Sequence, residues 1–225
     1  MTIDVQPGTV VVFTDVVCGW ATLALHRFYA AREKAGLTDA VRVDHQLFLL
    51  EDVNEFPIPK RLLDSEIPVV GALAPDFGWQ PWQGDASTWP ITSLLTNEAV
   101  HAAKRQSLPA AERLDMALRR AFFTDSRPVS LLHEIIGVAQ RCSGVDAGAL
   151  RRDLEEGTAR AEMMRGYRGH RDEVKGSPHF FLPDGTDVHN PGLELQWVGE
   201  PGAGFPVVDT YDPAAMDELV KRAAG

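Results

Sequence analysis

The 225-residue chain is poor in cysteine and has no long apolar segment. Its two cysteines, Cys18 and Cys142, lie far apart in sequence, which excludes a disulfide-stapled scaffold. No apolar run is long enough to span a bilayer, and residues 1–8 lack the basic and apolar regions of a secretory signal. We therefore expect a cytoplasmic protein in which the two thiols are not joined by a disulfide bond.

Positive charge is also scarce, since 22 basic residues face 32 acidic ones and leave a formal net charge of −10. No local basic run offsets this balance, so nucleic acid and anionic membranes are not expected as partners. The seven histidines show no metal-ligand spacing, so no metal site is expected. No glycine-rich phosphate loop or nucleophile elbow is present either.

The order of secondary structure at the N-terminus indicates an α/β fold. Residues 9–13 form a β-branched apolar run, which is typical of a buried strand. Residues 21–35 carry apolar side chains at helical spacing, and residues 41–50 alternate as a second strand does. A strand, a helix and a strand in this order predict a parallel pair joined by a right-handed crossover.

The remaining chain divides into three parts by composition. Residues 51–91 are rich in proline, glycine and tryptophan, which predicts a long ordered loop. Residues 92–173 show helical periodicity and predict a helical insertion domain, whereas residues 174–225 return to strand patterns before a final helix that Asp212 would cap. The predicted helices of the insertion are 92–106, 110–123, 130–143 and 146–164. Residues 8–50 and 174–225 would together form the α/β domain.

Cys18 follows the first strand and stands at the start of the first helix. Free backbone N–H groups and the helix dipole stabilise an anion there, which predicts a lowered pKa and a nucleophilic thiolate. The alternative is a buried structural cysteine that behaves as a small hydrophobic residue.

A second motif, Gly176-Ser177-Pro178, places a proline at the start of an apolar strand. Together with Asp15-Val-Val-Cys18-Gly-Trp20, it resembles the signatures of the DsbA-like, thioredoxin-fold family. That family has an Asp-x-x-Cys-x-Trp-Cys site and, after a helical insertion, a Gly-x-Pro loop with a cis-proline. The resemblance covers nearly the whole chain and implies a thioredoxin-like fold with a large helical insertion. It is nearest to a cytoplasmic branch that borders the kappa-class glutathione transferases and the chromene-carboxylate isomerases.

The resemblance assigns roles to four residues. Cys18 matches the attacking thiol and Trp20 the aromatic residue inside the motif. Ser177 matches the residue whose backbone pairs with an extended substrate, and Pro178 matches the cis-proline, an isomer that X-Pro bonds adopt at small cost. Asp15 would either tune the thiol or cap the helix, and the cap is the commoner role of an aspartate at that place.

The sequence departs from the family pattern at two positions. Gly19 replaces the usual proline, and Ala21 replaces the resolving cysteine. Because a disulfide within the motif is then impossible, the resemblance implies a monothiol enzyme that needs an external thiol, of the glutathione or mycothiol type, to resolve a mixed disulfide. We interpret Cys142 as a core or boundary cysteine.

Three functions remain open at this stage. The first is thiol–disulfide exchange at Cys18, and the second is a thiol-cofactor-dependent transferase or isomerase in which Cys18 holds the cofactor sulfur. The third is a non-catalytic peptide-binding groove. The expected partner is a thiol or a disulfide, carried by a protein or a small molecule. A homodimer is compatible with all three functions. The three tryptophans at 79, 82 and 89 would either roof the cleft or belong to a satellite core.

Overall fold

The computed structural model describes residues 3–200 and 203–225. Within these residues the strands are β1 (Thr9–Thr14), β2 (Arg42–Leu47), β3 (His179–Phe181), β4 (Asp187–His189), β5 (Leu193–Val198) and β6 (Phe205–Tyr211). The α-helices are α1 (Gly19–Lys34), α2 (Leu50–Val53), α3 (Lys60–Leu73), α4 (Leu94–Gln106), α5 (Leu108–Phe123), α6 (Leu132–Ala139), α7 (Ala147–Glu156), α8 (Thr158–His170) and α9 (Ala215–Ala224). No helix in these ranges is long and apolar enough to cross a membrane.

The central sheet has the strand order β2-β1-β3-β4. β1 pairs in parallel with β2, as the strand–helix–strand order predicts, and antiparallel with β3. β1 is buried on both faces because Val10 and Val12 pack on one side of the sheet and Val11 and Phe13 on the other. The mixed α/β fold expected from the sequence is therefore confirmed, and the loop between β1 and α1 lies at the carboxyl end of a rigid strand.

The segment 51–91, predicted as an ordered loop, contains the 14-residue helix α3. The prediction was wrong because Pro68 and Gly71 lower the helix propensity of this stretch. In the structure Pro68 is exposed, while Leu63, Ile67 and Val70 are buried in the largest core cluster. Burial of this apolar stripe outweighs local propensity, and it brings α3 against α1.

The helical insertion forms α4 to α8, with one difference from the prediction. Residues 146–164 do not form one helix, because Gly157 adopts a left-handed conformation (φ 68°) and separates α7 from α8. Glycine has no Cβ to oppose this conformation, so it commonly ends a helix. The division of the whole chain into an α/β domain and an insertion domain stays a prediction. The largest core cluster contains residues of both parts, so they share one apolar core.

The C-terminal region contains a hairpin, β5–β6, which the sequence prediction missed and whose second strand packs against α3. The alternation of Leu193, Leu195 and Trp197 with polar residues was the available signal. The final helix forms as predicted, but Asp212 is not its cap. The cap position is Ala214, whose N–H donates to Asp212 Oδ1 over 2.9 Å.

Candidate functional site

Cys18 is the N-cap residue of α1, and its side chain faces the loop that precedes β3. The Sγ atom accepts a hydrogen bond from the backbone N–H of Ala21 over 3.4 Å. It donates to the carbonyl oxygen of Ser177, 3.2 Å away. The residue is only 7% exposed. The structure thus brings Cys18 and Ser177 together across 159 residues of sequence.

The Ser177–Pro178 peptide bond is cis, in agreement with the expectation from the sequence. Ser177 Oγ accepts from the backbone N–H of Asp15 over 3.0 Å, which fixes the loop to the residues before Cys18. His179 holds the other side of the loop, because its Nδ1 accepts from the backbone N–H of Lys175 over 3.2 Å. The remaining ring nitrogen, Nε2, then carries the proton and donates to Asp187 Oδ1 over 2.7 Å.

Asp15 is completely buried and does not cap α1, so the favoured interpretation of this residue was wrong. Cys18 itself occupies the cap position. The Asp15 carboxylate instead accepts four hydrogen bonds, whose donors are Val17 N (3.2 Å), Asn97 Nδ2 (2.9 Å), Leu50 N (3.1 Å) and Ser93 Oγ (2.9 Å). Burial raises its pKa, and these hydrogen bonds oppose that change. Asp15 therefore joins the cysteine loop to the first turn of α4.

Arg119 supports the same loop from α5 and was not singled out by the sequence. It is fully buried, and Nη1 donates to the carbonyl oxygens of Asp15 (3.0 Å) and Val16 (3.3 Å). Its Nε donates to Asp115 Oδ2 over 2.8 Å, so the charge is paired. A buried guanidinium with these partners orders the backbone that leads into Cys18.

Glu66, from α3, is the second residue that sequence reasoning missed. Its Oε1 accepts from the indole N–H of Trp20 over 2.9 Å, and the residue is buried. Burial raises the pKa of Glu66 to about 7, while the Trp20 hydrogen bond opposes this increase. A Cβ on Gly19 would lie 3.7 Å from Glu66 Oε2, so the carboxyl group stands directly beside the start of α1. The sequence predicts a loop for residues 51–91, and nothing in that pattern indicates a functional role for Glu66.

Cys18 opens onto a cavity of about 170 Å³ between α1, α3 and the Ser177 loop. Apolar side chains form most of its wall, with Trp20 and Glu66 on one side. The lining residues are Val17, Cys18, Trp20, Leu50, Glu51, Asn54, Phe56, Ile58, Pro59, Leu62, Leu63, Glu66 and Ser177. Three of the four residues assigned by resemblance, namely Cys18, Trp20 and Ser177, thus share one cavity.

The pKa of Cys18 is raised, whereas its position at the start of a helix predicts a lowered pKa. Burial raises its pKa to about 11, hydrogen bonding by the Ser177 side chain opposes this increase, and the charges of Glu66 and Asp15 add to it. Burial in an apolar wall and two nearby carboxyl groups outweigh the helix N-terminus. The prediction of a lowered pKa was therefore wrong, and at neutral pH Cys18 is a thiol.

The other candidates lie away from this cavity. Cys142 is a free, half-buried thiol at the edge of the largest core cluster, and burial raises its pKa. Trp79, Trp82 and Trp89 pack against the phenylalanines of α5 and do not line the Cys18 cavity, which supports the satellite-core interpretation. In the part of the chain that the structure describes, no cluster of three histidine, cysteine or acidic side chains is arranged to hold a metal.

The model of the DSBA-like thioredoxin domain matches residues 9–201, which include the cysteine loop, the insertion and the cis-proline loop. The chain belongs to the DSBA-like thioredoxin family. The match spans the helical insertion between β2 and β3 as well as the two loops that carry Cys18 and Pro178. No protein of curated function matches this DSBA-like chain in sequence.

Solved structures share the fold of this DSBA-like protein at low sequence identity. A probable DsbA oxidoreductase from Streptomyces coelicolor superposes with a TM-score of 0.68 at 20% identity, over 96% of this chain and 89% of the other. The cytosolic disulfide reductase DsbM from Pseudomonas aeruginosa, solved with glutathione, gives 0.57 at 19% identity over 80% and 89%. A 2-hydroxychromene-2-carboxylate isomerase gives 0.59 at 17% identity over 80% and 87%. At these identities the likeness shows a common fold with oxidoreductases and an isomerase.

Proposed function

We propose that this DSBA-like protein is a thiol–disulfide oxidoreductase that acts as a monothiol through Cys18. The observation that carries the proposal is the placement of the Cys18 thiol 3.2 Å from the Ser177 carbonyl, beside a cis-proline and at the wall of a cavity. A disulfide entering that cavity would meet Cys18 Sγ. Its own backbone would pair with the Ser177 loop, as the family resemblance implies.

The proposed exchange has two balanced steps. Cys18 loses its proton, attacks one sulfur of the substrate disulfide and forms a mixed disulfide, while the other substrate sulfur leaves as a thiolate and takes up a proton. Since Ala21 carries no thiol, an external thiol then attacks the mixed disulfide and releases Cys18. The external thiol is itself left in a disulfide with the substrate sulfur. We propose a low-molecular-weight thiol of the glutathione or mycothiol type for this role, without a tightly bound cofactor, and the glutathione complex of the DsbM neighbour supports the idea.

A second function is favoured by one specific observation, the high pKa of Cys18. A buried group that titrates near pH 11 keeps about one part in 10⁴ as thiolate at neutral pH, which makes it a weak resting nucleophile. In a thiol-cofactor-dependent transferase or isomerase, the Cys18 S–H and the first turn of α1 would hold the sulfur of the cofactor instead. The fold shared with 2-hydroxychromene-2-carboxylate isomerase is compatible with this candidate.

Mass spectrometry after incubation with a small disulfide tests the first proposal. The wild type and the Cys142→Ser variant should both gain one substrate half at Cys18, and an added thiol should remove it. The Cys18→Ser variant should gain nothing at the site. Turnover of an electrophilic small molecule only with added thiol, without a mixed disulfide, would instead support the transferase or isomerase. Absence of both reactions would leave a binding groove.

The place of action follows from the same chemistry. Thiol-dependent release of the mixed disulfide needs a reducing compartment, and we propose the cytoplasm. The cytosolic DsbM neighbour is compatible with this proposal. Fractionation of cells that produce the protein would test it, and recovery outside the cytoplasm would contradict it.

A further inference from the structure

The carboxylic acids Glu51 and Glu66 are the charged side chains among the described residues that line the Cys18 cavity. Two carboxylates, those of Glu66 and Glu51, belong to its wall, and among the described residues that line it there is no lysine or arginine. Asp15 adds a fully buried carboxyl group behind the thiol and contributes, with Glu66, to the high pKa of Cys18. The guanidinium of Arg119, which also lies behind this loop, is paired with Asp115 at 2.8 Å. A ligand that enters the cavity therefore meets an apolar wall and negative charge.

The neighbouring cations do not offset this charge inside the cavity. Lys60 follows the lining residue Pro59, but its ammonium group is paired with Asp64 at 2.6 Å. Arg61 is exposed and is not a lining residue. Both oxygens of Glu51 are bound by neutral donors, Thr92 Oγ1 (2.6 Å) and the backbone N–H of Ser93 (2.8 Å), so no cation neutralises it.

Glu66 is in a similar position. Oε1 is occupied by the neutral indole N–H of Trp20, and Oε2 faces the start of α1 at Gly19. Ionised, its carboxylate would have no partner of opposite charge in a largely apolar surrounding, where an anionic ligand is repelled more strongly than in water.

We propose that the Cys18 cavity selects its thiol or disulfide ligand by charge, accepting neutral and cationic ones and excluding those with a carboxylate close to the sulfur. This inference rests on the proposed exchange at Cys18 and narrows its substrate class. Binding of glutathione should be disfavoured, because its two carboxylates and one ammonium group leave it with a net negative charge. A thiol of the mycothiol type should be accepted, because its cysteine is acetylated on nitrogen and joined to the sugar through an amide, so that it carries no carboxylate.

Three small symmetric disulfides that differ in the charge of their end groups provide the test. Cystamine is cationic, bis(2-hydroxyethyl) disulfide is neutral and 3,3′-dithiodipropionate is anionic. The rate of mixed-disulfide formation at Cys18 is measured by mass spectrometry for each. Each rate is divided by that of a free neutral thiol, N-acetylcysteinamide, with the same disulfide at the same pH, which removes differences in intrinsic reactivity.

At about pH 8 the normalised rate for the anionic disulfide should be about tenfold below that of the neutral one, and cystamine should react at least as fast as the neutral one. The ratio should shrink in high salt, which screens these charges, and toward pH 6, where Glu66 takes up its proton while Cys18 remains a thiol. Glu66→Gln keeps an acceptor for the Trp20 indole and should reduce the ratio. Glu33→Gln, an exposed substitution on α1 outside the cavity, should leave it unchanged.

The outcomes separate the inference from the function on which it rests. Reaction with all three disulfides at equal normalised rates, or a ratio that neither salt nor Glu66→Gln alters, would overturn charge selection and leave the exchange function standing. Reaction with none of them would overturn the exchange function itself. The salt series uses the wild-type protein, so the inference stays testable if the Glu66→Gln variant does not fold.

Discussion

Glu66 offers a sharp test of the electrostatics of the cavity, because its carboxyl group is buried without a cation. The perturbation is Glu66→Gln, which removes the ionisation and preserves the size and the acceptor for Trp20. Burial raises the pKa of Glu66 from an ordinary 4.5 to about 7. The carboxyl group is neutral in both the folded and the unfolded chain below pH 4.5. Between that pH and 7 the unfolded chain ionises first, so the wild type loses stability as the pH rises.

The magnitude follows from the same values. Each pKa unit corresponds to about 1.4 kcal/mol, so a rise from 4.5 to about 7 corresponds to about 3 kcal/mol. We therefore expect the free energy of unfolding of Glu66→Gln, relative to that of the wild type, to increase by up to about 3 kcal/mol between pH 4 and pH 8.5. The increase should be centred between pH 4.5 and pH 7.

Urea unfolding of both proteins across this pH range, followed by tryptophan fluorescence, measures the difference. The other ionisable groups are common to the two proteins, so their contributions cancel. The exposed substitution Glu33→Gln is the matched control and should change the free energy of unfolding by less than about 0.5 kcal/mol at every pH. A difference between Glu66→Gln and wild type that stays constant with pH would refute the reasoning. The Glu66 carboxyl would then be solvated, and the cavity would not have the apolar wall described here.

Three further predictions follow from the same region. Arg119→Met should lower the free energy of unfolding by about 3–5 kcal/mol, because it removes the guanidinium that pairs with the buried Asp115 and leaves only His45 nearby, at 3.8 Å, whose pKa is lowered by burial; a loss below about 1 kcal/mol in urea unfolding would contradict this. Alkylation of Cys18 should have a pH midpoint near 11 and should lag behind that of the half-buried Cys142 near neutral pH. Mass mapping after brief labelling decides the order, and faster labelling of Cys18 would show that its thiol is more acidic and open than the structure indicates. Ala21→Cys places a second thiol three residues along α1, where the backbone N–H already bonds to Cys18 Sγ, and should yield a reversible disulfide in a glutathione redox series; if thiol counting finds none at any poise, the site lacks redox geometry.

The sequence alone was sufficient to determine the features that depend on local pattern. Residues 9–13 and 41–50 predicted the parallel strand pair because alternation and β-branched runs report directly on strand burial. The motif residues around Cys18 and Pro178 were sufficient to indicate the family, and the sequence itself shows that Ala21 stands where the family motif has a second cysteine. The absence of a thiol at position 21 can be read directly from the sequence.

Only the tertiary structure decided the pKa of the Cys18 thiol. Its pKa depends on burial by α3 and the Ser177 loop and on the charge of Glu66, and position at a helix N-terminus says nothing about either. The helix α3 itself forms because its apolar stripe finds a core, against the local preference of Pro68 and Gly71.

The supporting residues were hidden from the sequence for the same reason. The hydrogen bond from Asn97 to Asp15 joins residues 82 positions apart, and that from Arg119 to Asp15 spans 104 positions. Neither residue was assigned a role from the sequence, because nothing local in α4 or α5 indicates the loop that its side chain contacts. Their roles arise because packing of the insertion on α1 and β2 excludes water, so buried backbone and carboxylate groups must find partners within the protein. Periodicity in the sequence indicates which face of a helix is buried, whereas the partner that it meets is determined by how the whole chain packs.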